Sequence, residues 1–512
     1  MIRLLSFAVI FYLFVFLPAE VPQFFCSAAT ADMNIDRTRQ EDPDIREASS
    51  TLAHYLMGII YDNFGDAEKA VSEYEKALVS GPEEADIYLK LGADFMLQGK
   101  LEKAAETLDK STELDTSNVK SYLLLAIIHT ARGEFDQAEV QYKKALEQDP
   151  QNLKVLTFLS DLYVIQQKLD RAAEVYEKIL RIREQDAFLY FNLGIIYSKL
   201  NLLDKAETNL QKAVEVDTEY LEAQMVLGFI YEIEEKYAES IRQYEKVVEI
   251  DSLHREAYVR MGQLYHRLGE TDKALEQNRI LMRLDMTSPD PYLRNFSIFV
   301  SEKKFDQAEA VLREALRNGV SDAVIYASLG YLSGVKGDYR EALDYYKVAS
   351  EKDPDNGKYR FYLAATMDQL GRRKDAIKVL EKMVSSGTDL SEAYNYLGYI
   401  YVEEGKDLPR AIALIKKALL IEPSNPAYMD SLGWAYFKQG RLEEAFTSIK
   451  QAVELMPDDA VIRGHYADIY FAKGDIENAI IQWRVSLELD PERKSIKKKL
   501  DRAQRVLNKA KK

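Results

Sequence analysis

The sequence predicts an all-α fold, a solenoid of about thirteen helix–turn–helix units closed by one further helix. Two recurrences predict it. An alanine returns every 34 residues at Ala70, Ala104, Ala138, Ala172 and Ala206, gives way to Ser240, and resumes at Ala274, Ala308, Ala342 and Ala376. After one extra residue it continues at Ala411, Ala445 and Ala479. A second series of small residues runs about 12 positions ahead, from Gly58 and Gly92 to Gly433 and Ala467, broken only by Phe296. Self-similarity at roughly this period marks a stacked helical hairpin. The small residues have a steric reason, since helices about 8–10 Å apart need Gly or Ala where they cross. Ala206→Leu is therefore expected to overpack its crossing and cost about 1–3 kcal/mol.

The elements follow in order. Met1-Ile2-Arg3 is a short cationic start, followed by an apolar run from Leu4 to Leu17 that Pro18 and Glu20 interrupt. That run is too short to span a bilayer comfortably and reads as a signal peptide over 1–31, with Ala29-Thr30-Ala31 as an A-x-A cleavage site. Cys26 opens a second reading, a lipid anchor, although Phe25 stands where a lipobox has a small residue; an uncleaved anchor is the third. Residues 32–42 are polar and form a flexible leader. Asp42-Pro43 then caps and opens a helix that should reach about Asn63.

The hairpin array spans 43–491, with units starting near residues 51, 85, 119, 153, 187, 221, 255, 289, 323, 357, 391, 426 and 460. Glycines such as Gly65, Gly99, Gly133, Gly269, Gly337, Gly440 and Gly474 mark the turns, where a left-handed residue closes the preceding helix. Tyr74, Tyr142, Tyr176, Tyr244 and Tyr346 fill the seams from the second helices. The eighth unit departs, with Pro289, Pro291 and Phe296; it reads as local repacking or as a hinge between two halves. The eleventh carries the extra residue within Gly405–Pro409. Residues 492–512 form a basic capping helix with Ile496, Leu500, Ala503 and Leu507 on one face.

Charge bounds the partners. Residues 492–512 hold ten Lys or Arg against two acids, a net of +8, so a total of −16 leaves −24 on everything before them. An acidic body argues against nucleic acid as the main ligand. Membrane contact is confined to an anchor at Cys26 or to the basic C-terminal helix. With one cysteine, no internal disulfide can form, and cleavage after Ala31 would leave a mature chain without cysteine, which suits an oxidising, extracytoplasmic space.

No phosphate loop, dinucleotide fingerprint, H-E-x-x-H or G-x-S-x-G motif occurs. The five histidines, His54, His129, His254, His266 and His465, fall in separate places without metal-ligand spacing, and His129 fills a slot that elsewhere holds tyrosine. No cofactor and no catalytic residue is expected, and an enzyme reading is disfavoured.

Glycine or alanine, tyrosine three later, alanine nine after that, then alanine and proline resembles the tetratricopeptide repeat. The resemblance covers Thr51 to Pro491 in thirteen units. It implies a right-handed superhelix with a groove lined by first helices. Positions 2, 5, 9 and 12 of each unit should then face the groove and supply Tyr55, Ile59, Ile127, Phe191, Ile195, Met225, Phe229, Tyr331, Phe361, Tyr399, Trp434, Phe437 and Phe471. Acids among them include Asp62, Asp161, Glu222, Glu232, Asp368, Glu392, Asp430 and Asp468. Such a stripe suits an extended or helical peptide with apolar anchors and some positive charge. Some of these aromatics could equally pack between neighbouring helices. The carboxylate clamp of chaperone-binding members is absent: Tyr55 and Ile59 occupy its slots, and Asn192 and Asn395 are isolated.

Within the last three units, Tyr396-Leu397-Gly398-Tyr399, Met429-Asp430-Ser431-Leu432-Gly433-Trp434, His465-Tyr466-Ala467-Asp468 and Trp483 are similar to a subgroup of bacterial envelope repeat lipoproteins. One member is an adaptor that delivers substrates to a periplasmic carboxy-terminal processing protease. This resemblance implies a non-enzymatic adaptor exported to the periplasm, with a periplasmic protease and its substrates as partners. The alternative is an assembly scaffold for a secretion, pilus or polysaccharide-export system.

Overall fold

The computed structural model describes residues 43–510, so the signal segment, Cys26 and the leader lie outside the described residues. Among the described residues there are 27 α-helices and no strand. Thirteen antiparallel pairs follow one another, and the last helix stands alone. The first hairpin is α1 (Pro43–Asn63) with α2 (Ala67–Ser80), the second α3 (Ala85–Leu97) with α4 (Leu101–Leu114). Numbering continues so that odd helices are first and even helices second.

Steric complementarity within each hairpin explains the two small-residue series. Ala70, Ala104, Ala138, Ala206, Ala274, Ala308, Ala342, Ala376, Ala411, Ala445 and Ala479 are all fully buried. Opposite Gly58, Gly92, Gly194, Gly228, Gly330, Gly398 and Gly433 of this series stands one large side chain of the second helix. A Cβ added to Gly92 would lie 2.6 Å from Leu108, and one added to Gly433 would lie 2.5 Å from Ile449. Neither clash could be relieved without moving a helix, because Leu108 and Ile449 are themselves fully buried.

All thirteen turns use one left-handed residue at the same place. Nine are glycines, but Gln167, Asn201, Glu235 and Lys303 adopt φ of 59° there. The hydrogen bonds show why: the residue after each turn donates to the carbonyl five residues earlier, as from Asp66 N to Tyr61 O at 2.9 Å and from Lys168 N to Tyr163 O at 2.9 Å. This pairing closes the helix whatever side chain occupies the turn. The extra residue in the eleventh hairpin is absorbed by a second left-handed residue, Asp407, whose side chain caps the helix Leu408–Ile421 at Arg410 N.

The packing divides the chain between Ala257 and Tyr258. That division falls in the seventh hairpin, whereas the break in pattern at Phe296 lies in the eighth. Its helices pack more sparsely on each other than those of the ninth. Tyr292 takes over the sealed position, and Asn295 accepts a hydrogen bond at 2.8 Å from Asn278, buried in the preceding second helix. At the C-terminus α27 (Lys494–Ala510) buries Ile496 and Ala503 against the last hairpin, with Leu500 and Leu507 beside them.

Candidate protein-binding face

In residues 43–257 the first-helix face divides into seam and surface. Tyr55 tilts against Tyr74 at 5.9 Å between ring centroids, and the Tyr74 hydroxyl donates to Asp62 at 2.5 Å. Burial, then Asp86 and Asp62, push the Tyr55 hydroxyl above its ordinary range. Tyr55 and Asp62 therefore serve the joint between hairpins. Ile127 is buried, and Ile59 and Ile195 are half-buried. Phe191, on α9 (Ala187–Lys199), tilts against Tyr220 at 5.1 Å, and Met225, on α11 (Leu221–Ile233), is half-buried. Phe229, further along α11, reaches the surface, 43% exposed. The acids Asp161 and Glu222 are exposed on the same set of positions.

One surface aromatic escaped the sequence reading. Phe188 stands at position 2 of the fifth hairpin and is 61% exposed. Its position number alone would have placed it on this face.

In residues 258–512, Tyr331 of α17 (Ala323–Val335) is 47% exposed. Phe361 packs edge-on to Tyr396 at 5.8 Å, and the Tyr396 hydroxyl donates to Asp368 at 3.1 Å. Arg373 holds the same carboxylate at 2.7 Å. Burial and the charge of Asp368 push the Tyr396 hydroxyl up to about 12. Tyr399 is half-buried, and burial followed by Glu403 and Asp430 raises its hydroxyl too.

The C-terminal aromatics form a continuous stack. His465 lies over Trp434 at 4.1 Å, and Trp434 over Phe437 at 4.9 Å, both pairs nearly parallel. Trp434 Nε1 donates to Glu403 at 3.0 Å, and the Lys438 ammonium sits 4.9 Å from the Trp434 ring. Phe471 packs on Trp483 at 5.5 Å.

Asp430 and Asp468 correct the sequence reading, which put both on the wall as acids facing a ligand. Both are buried. Asp430 Oδ1 lies 2.8 Å from His465 Nδ1 in the next hairpin. Asp468 accepts from Trp483 Nε1 at 3.0 Å and from Lys499 Nζ of α27 at 2.5 Å. A carboxylate removed from water must be paired, and these are paired within the chain. Sequence position identified the helix face but could not reveal partners 15 to 35 residues away.

His129 is half-buried and bonded to Glu134 at 2.7 Å. Among the described residues, no three His, Cys, Asp or Glu side chains gather as metal ligands, and no helix is long and apolar enough to cross a membrane.

Comparisons with known proteins agree on the repeat. Models described as tetratricopeptide repeat match residues 95–162, 129–187, 336–398 and 436–491. Two others of that description match 55–119 and 294–356, and 189–220, 221–252 and 256–277. The human protein O-mannosyl-transferase TMTC1 is 32% identical over 130 residues, 25% of this chain and 15% of that protein. The TPR repeat-containing protein YpiA of Bacillus subtilis is 28% identical over 148 residues, 28% of this chain and 33% of that one. The chain thus matches a third or less of the length of these curated relatives. Among solved structures, Naa15/Naa10 bound to HypK-THB has a TM-score of 0.49 at 21% identity, covering 86% of this chain and 68% of that one. The APC/C hetero-tetramer Cut9–Hcn1 has a TM-score of 0.42 at 17% identity, covering 90% and 98%. These likenesses are of fold alone.

Proposed function

The chain belongs to the tetratricopeptide-repeat family, and from that premise we propose that it is a non-enzymatic adaptor holding partner polypeptides on its first-helix face. Repeat arrays of this kind are typically non-catalytic scaffolds for protein–protein interaction. One observation carries the proposal for this chain. Phe188 and Phe229 in one unit and Tyr331 in the other keep large aromatic surface in water, in a fold whose other tyrosines are mostly covered by neighbours. Aromatic side chains give much contact area for little lost rotamer freedom, so they anchor binding. Exposed Asp161 and Glu222 favour a partner segment with basic residues beside its apolar anchors.

The site of action we propose is the bacterial periplasm. Supporting this are the cationic start, the apolar run 4–17 and the A-x-A at Ala29–Ala31. Delivery of substrates to a periplasmic protease is the form of adaptor function favoured by the C-terminal resemblance. Photo-crosslinking residues installed at Phe229 and Tyr331, with Val79 on a second helix as control, test the binding face. Capture at the first two and none at the third is expected; equal capture at all three would remove the proposal. Amino-terminal sequencing of chain recovered from the envelope should begin at Asp32, and an acylated Cys26 there would replace cleavage by lipid anchoring.

A further inference from the structure

The last helix of the array concentrates positive charge on its outer side. At about 100° per residue, Lys494, Lys498, Arg502 and Arg505 fall within about 80° of one another around α27. They form a row about 16 Å long, and all four are exposed. Ile496, Leu500, Ala503 and Leu507, which pack on the last hairpin, lie on the opposite side. Lys497 flanks the row and is exposed as well. The cations here that touch the fold have partners: Lys499 donates to Asp468 at 2.5 Å, and Arg493 to Ser486 Oγ at 3.1 Å. Lys336 and Lys473, exposed at hairpin turns, pair with acids of the preceding hairpin. Lys497 and the four cations of the row make no ion pair among the described residues, although Asp501 stands between them.

Local physics works against such a row. Twelve of the thirteen second helices carry an acid in the first turn, which suits the positive end of a helix. In α27 that turn has no acid and holds Lys494 and Lys497. Lys494 and Lys498, and then Lys498 and Arg502, are four residues apart, and Arg505 follows three later, so each cation repels the next. A conflict of this kind, left without compensation inside the chain, marks a surface shaped by something outside it.

We infer that the outer face of α27 docks on an anionic lipid bilayer. Charge complementarity calls for a polyanion, and two features select this one. First, the row runs straight along a convex helix face, so a flat layer of headgroups meets all its cations at once, and mobile lipids can gather beneath each. Second, α27 contains no aromatic residue, and Val506 is its one exposed large apolar side chain among the described residues. Protein interfaces are built around buried aromatic or apolar anchors, with charge kept to the rim. A bilayer needs only the point charges. The rest of the chain carries −24 and is repelled by such a surface, which confines the contact to this helix. The first-helix binding face takes no part, so either assignment can fail without the other.

Flotation of the chain as processed in cells, with vesicles of phosphatidylcholine alone or with about 30% phosphatidylglycerol, provides the test. Binding should be stronger on the anionic vesicles, and that difference should vanish at about 0.5 M salt, where screening is severe. Lys498→Gln, Arg502→Gln and Arg505→Gln combined should lower the partition coefficient on anionic vesicles about a hundredfold. Lys498→Arg, Arg502→Lys and Arg505→Lys combined should keep it, because a bilayer responds to charge and not to the fork geometry of arginine. Lys178→Gln, Lys205→Gln and Lys212→Gln combined, at exposed positions of the fourth and fifth hairpins, should leave it unchanged. The triple Gln variant of α27 should melt no lower than the unaltered chain, since it relieves repulsion at exposed positions. Binding indifferent to lipid charge, a Gln variant of α27 that binds as before or melts lower, or loss in the Arg/Lys exchange would each overturn the inference. So would retention on polyglutamate or double-stranded DNA with none on anionic vesicles.

Discussion

Gly58 and Tyr74 occupy the same joint so closely that a Cβ on Gly58 would lie 2.3 Å from the Tyr74 ring. The ring cannot swing away, because it is fully buried and its hydroxyl is bonded to Asp62 on the helix that carries Gly58. Gly58→Ala should therefore destabilise the first hairpin by about 1–3 kcal/mol through overpacking. Gly334 provides the contrast. It lies inside a helix with nothing within 4 Å of its added Cβ, so Gly334→Ala should stabilise by about 0.5–1 kcal/mol. Urea titrations of both variants, read through local hydrogen exchange, check the opposite signs; two losses of equal size would refute the packing account.

The turn residues yield a ranked prediction. Glu235 and Lys303 hold φ at 59° with side chains that disfavour it, and Asn201 holds the same angle more easily. Replacing Glu235 or Lys303 by Gly should stabilise its hairpin by up to about 1 kcal/mol. Asn201→Gly should gain less. Thermal melts of the three variants would expose an inverted order.

Asp94 introduces a pH dependence. The residue is 3% exposed and its carboxylate faces that of Asp62 in the first hairpin, while Lys90 is the nearby opposing charge. Burial and the Asp62 charge raise it to about 8 from an ordinary value of 3.8. The folded chain thus keeps a proton that the unfolded chain has lost above about pH 4. Stability from this group is complete below that point, falls as pH rises from about 4 to 8, and is flat above. The slope is at most about 1.4 kcal/mol per pH unit. Asp94→Asn keeps the shape and a donor toward Asp62, so it should flatten the decline in melting temperature between pH 5 and pH 8. An unchanged slope would sink the shared-proton reading.

What could be read from sequence follows from what repeats. Alanines and glycines recur because every crossing has the same geometry, so their positions disclosed thirteen hairpins and their limits. The left-handed turns at Gln167 and Lys303 were hidden because nothing in those side chains asks for that angle; the neighbouring hydrogen bonds impose it. Asp430 and Asp468 were misplaced for a related reason. Helical periodicity assigns a face, but burial there depends on His465, Trp483 and Lys499, none of which the period predicts. The division at Ala257–Tyr258 likewise lies in an ordinary-looking repeat, while the conspicuous Phe296 is simply accommodated.

Asp468 and Tyr331 should respond to mutation in opposite ways, and that separates fold from function. Removing the Asp468 carboxylate leaves the Trp483 indole and the Lys499 ammonium without their acceptor. Lys499 is partly solvated and can turn to water, but Trp483 is buried and cannot. Asp468→Ala should cost about 2–4 kcal/mol, concentrated where α27 meets the last hairpin. Because stability in a repeat array is local, the loss should appear as faster hydrogen exchange in residues 460–510 with hairpins far away unaffected. Tyr331→Ser and Phe229→Ser remove side chains already about half in water, so each should change stability by no more than about 0.5 kcal/mol. Partner capture should behave the other way, reduced by the two aromatic substitutions and retained in Asp468→Ala wherever binding lies outside the last hairpin. Exchange rates and capture measured on the same three variants decide it: a Tyr331 variant that unfolds but still binds would reverse the assignment of seam and surface.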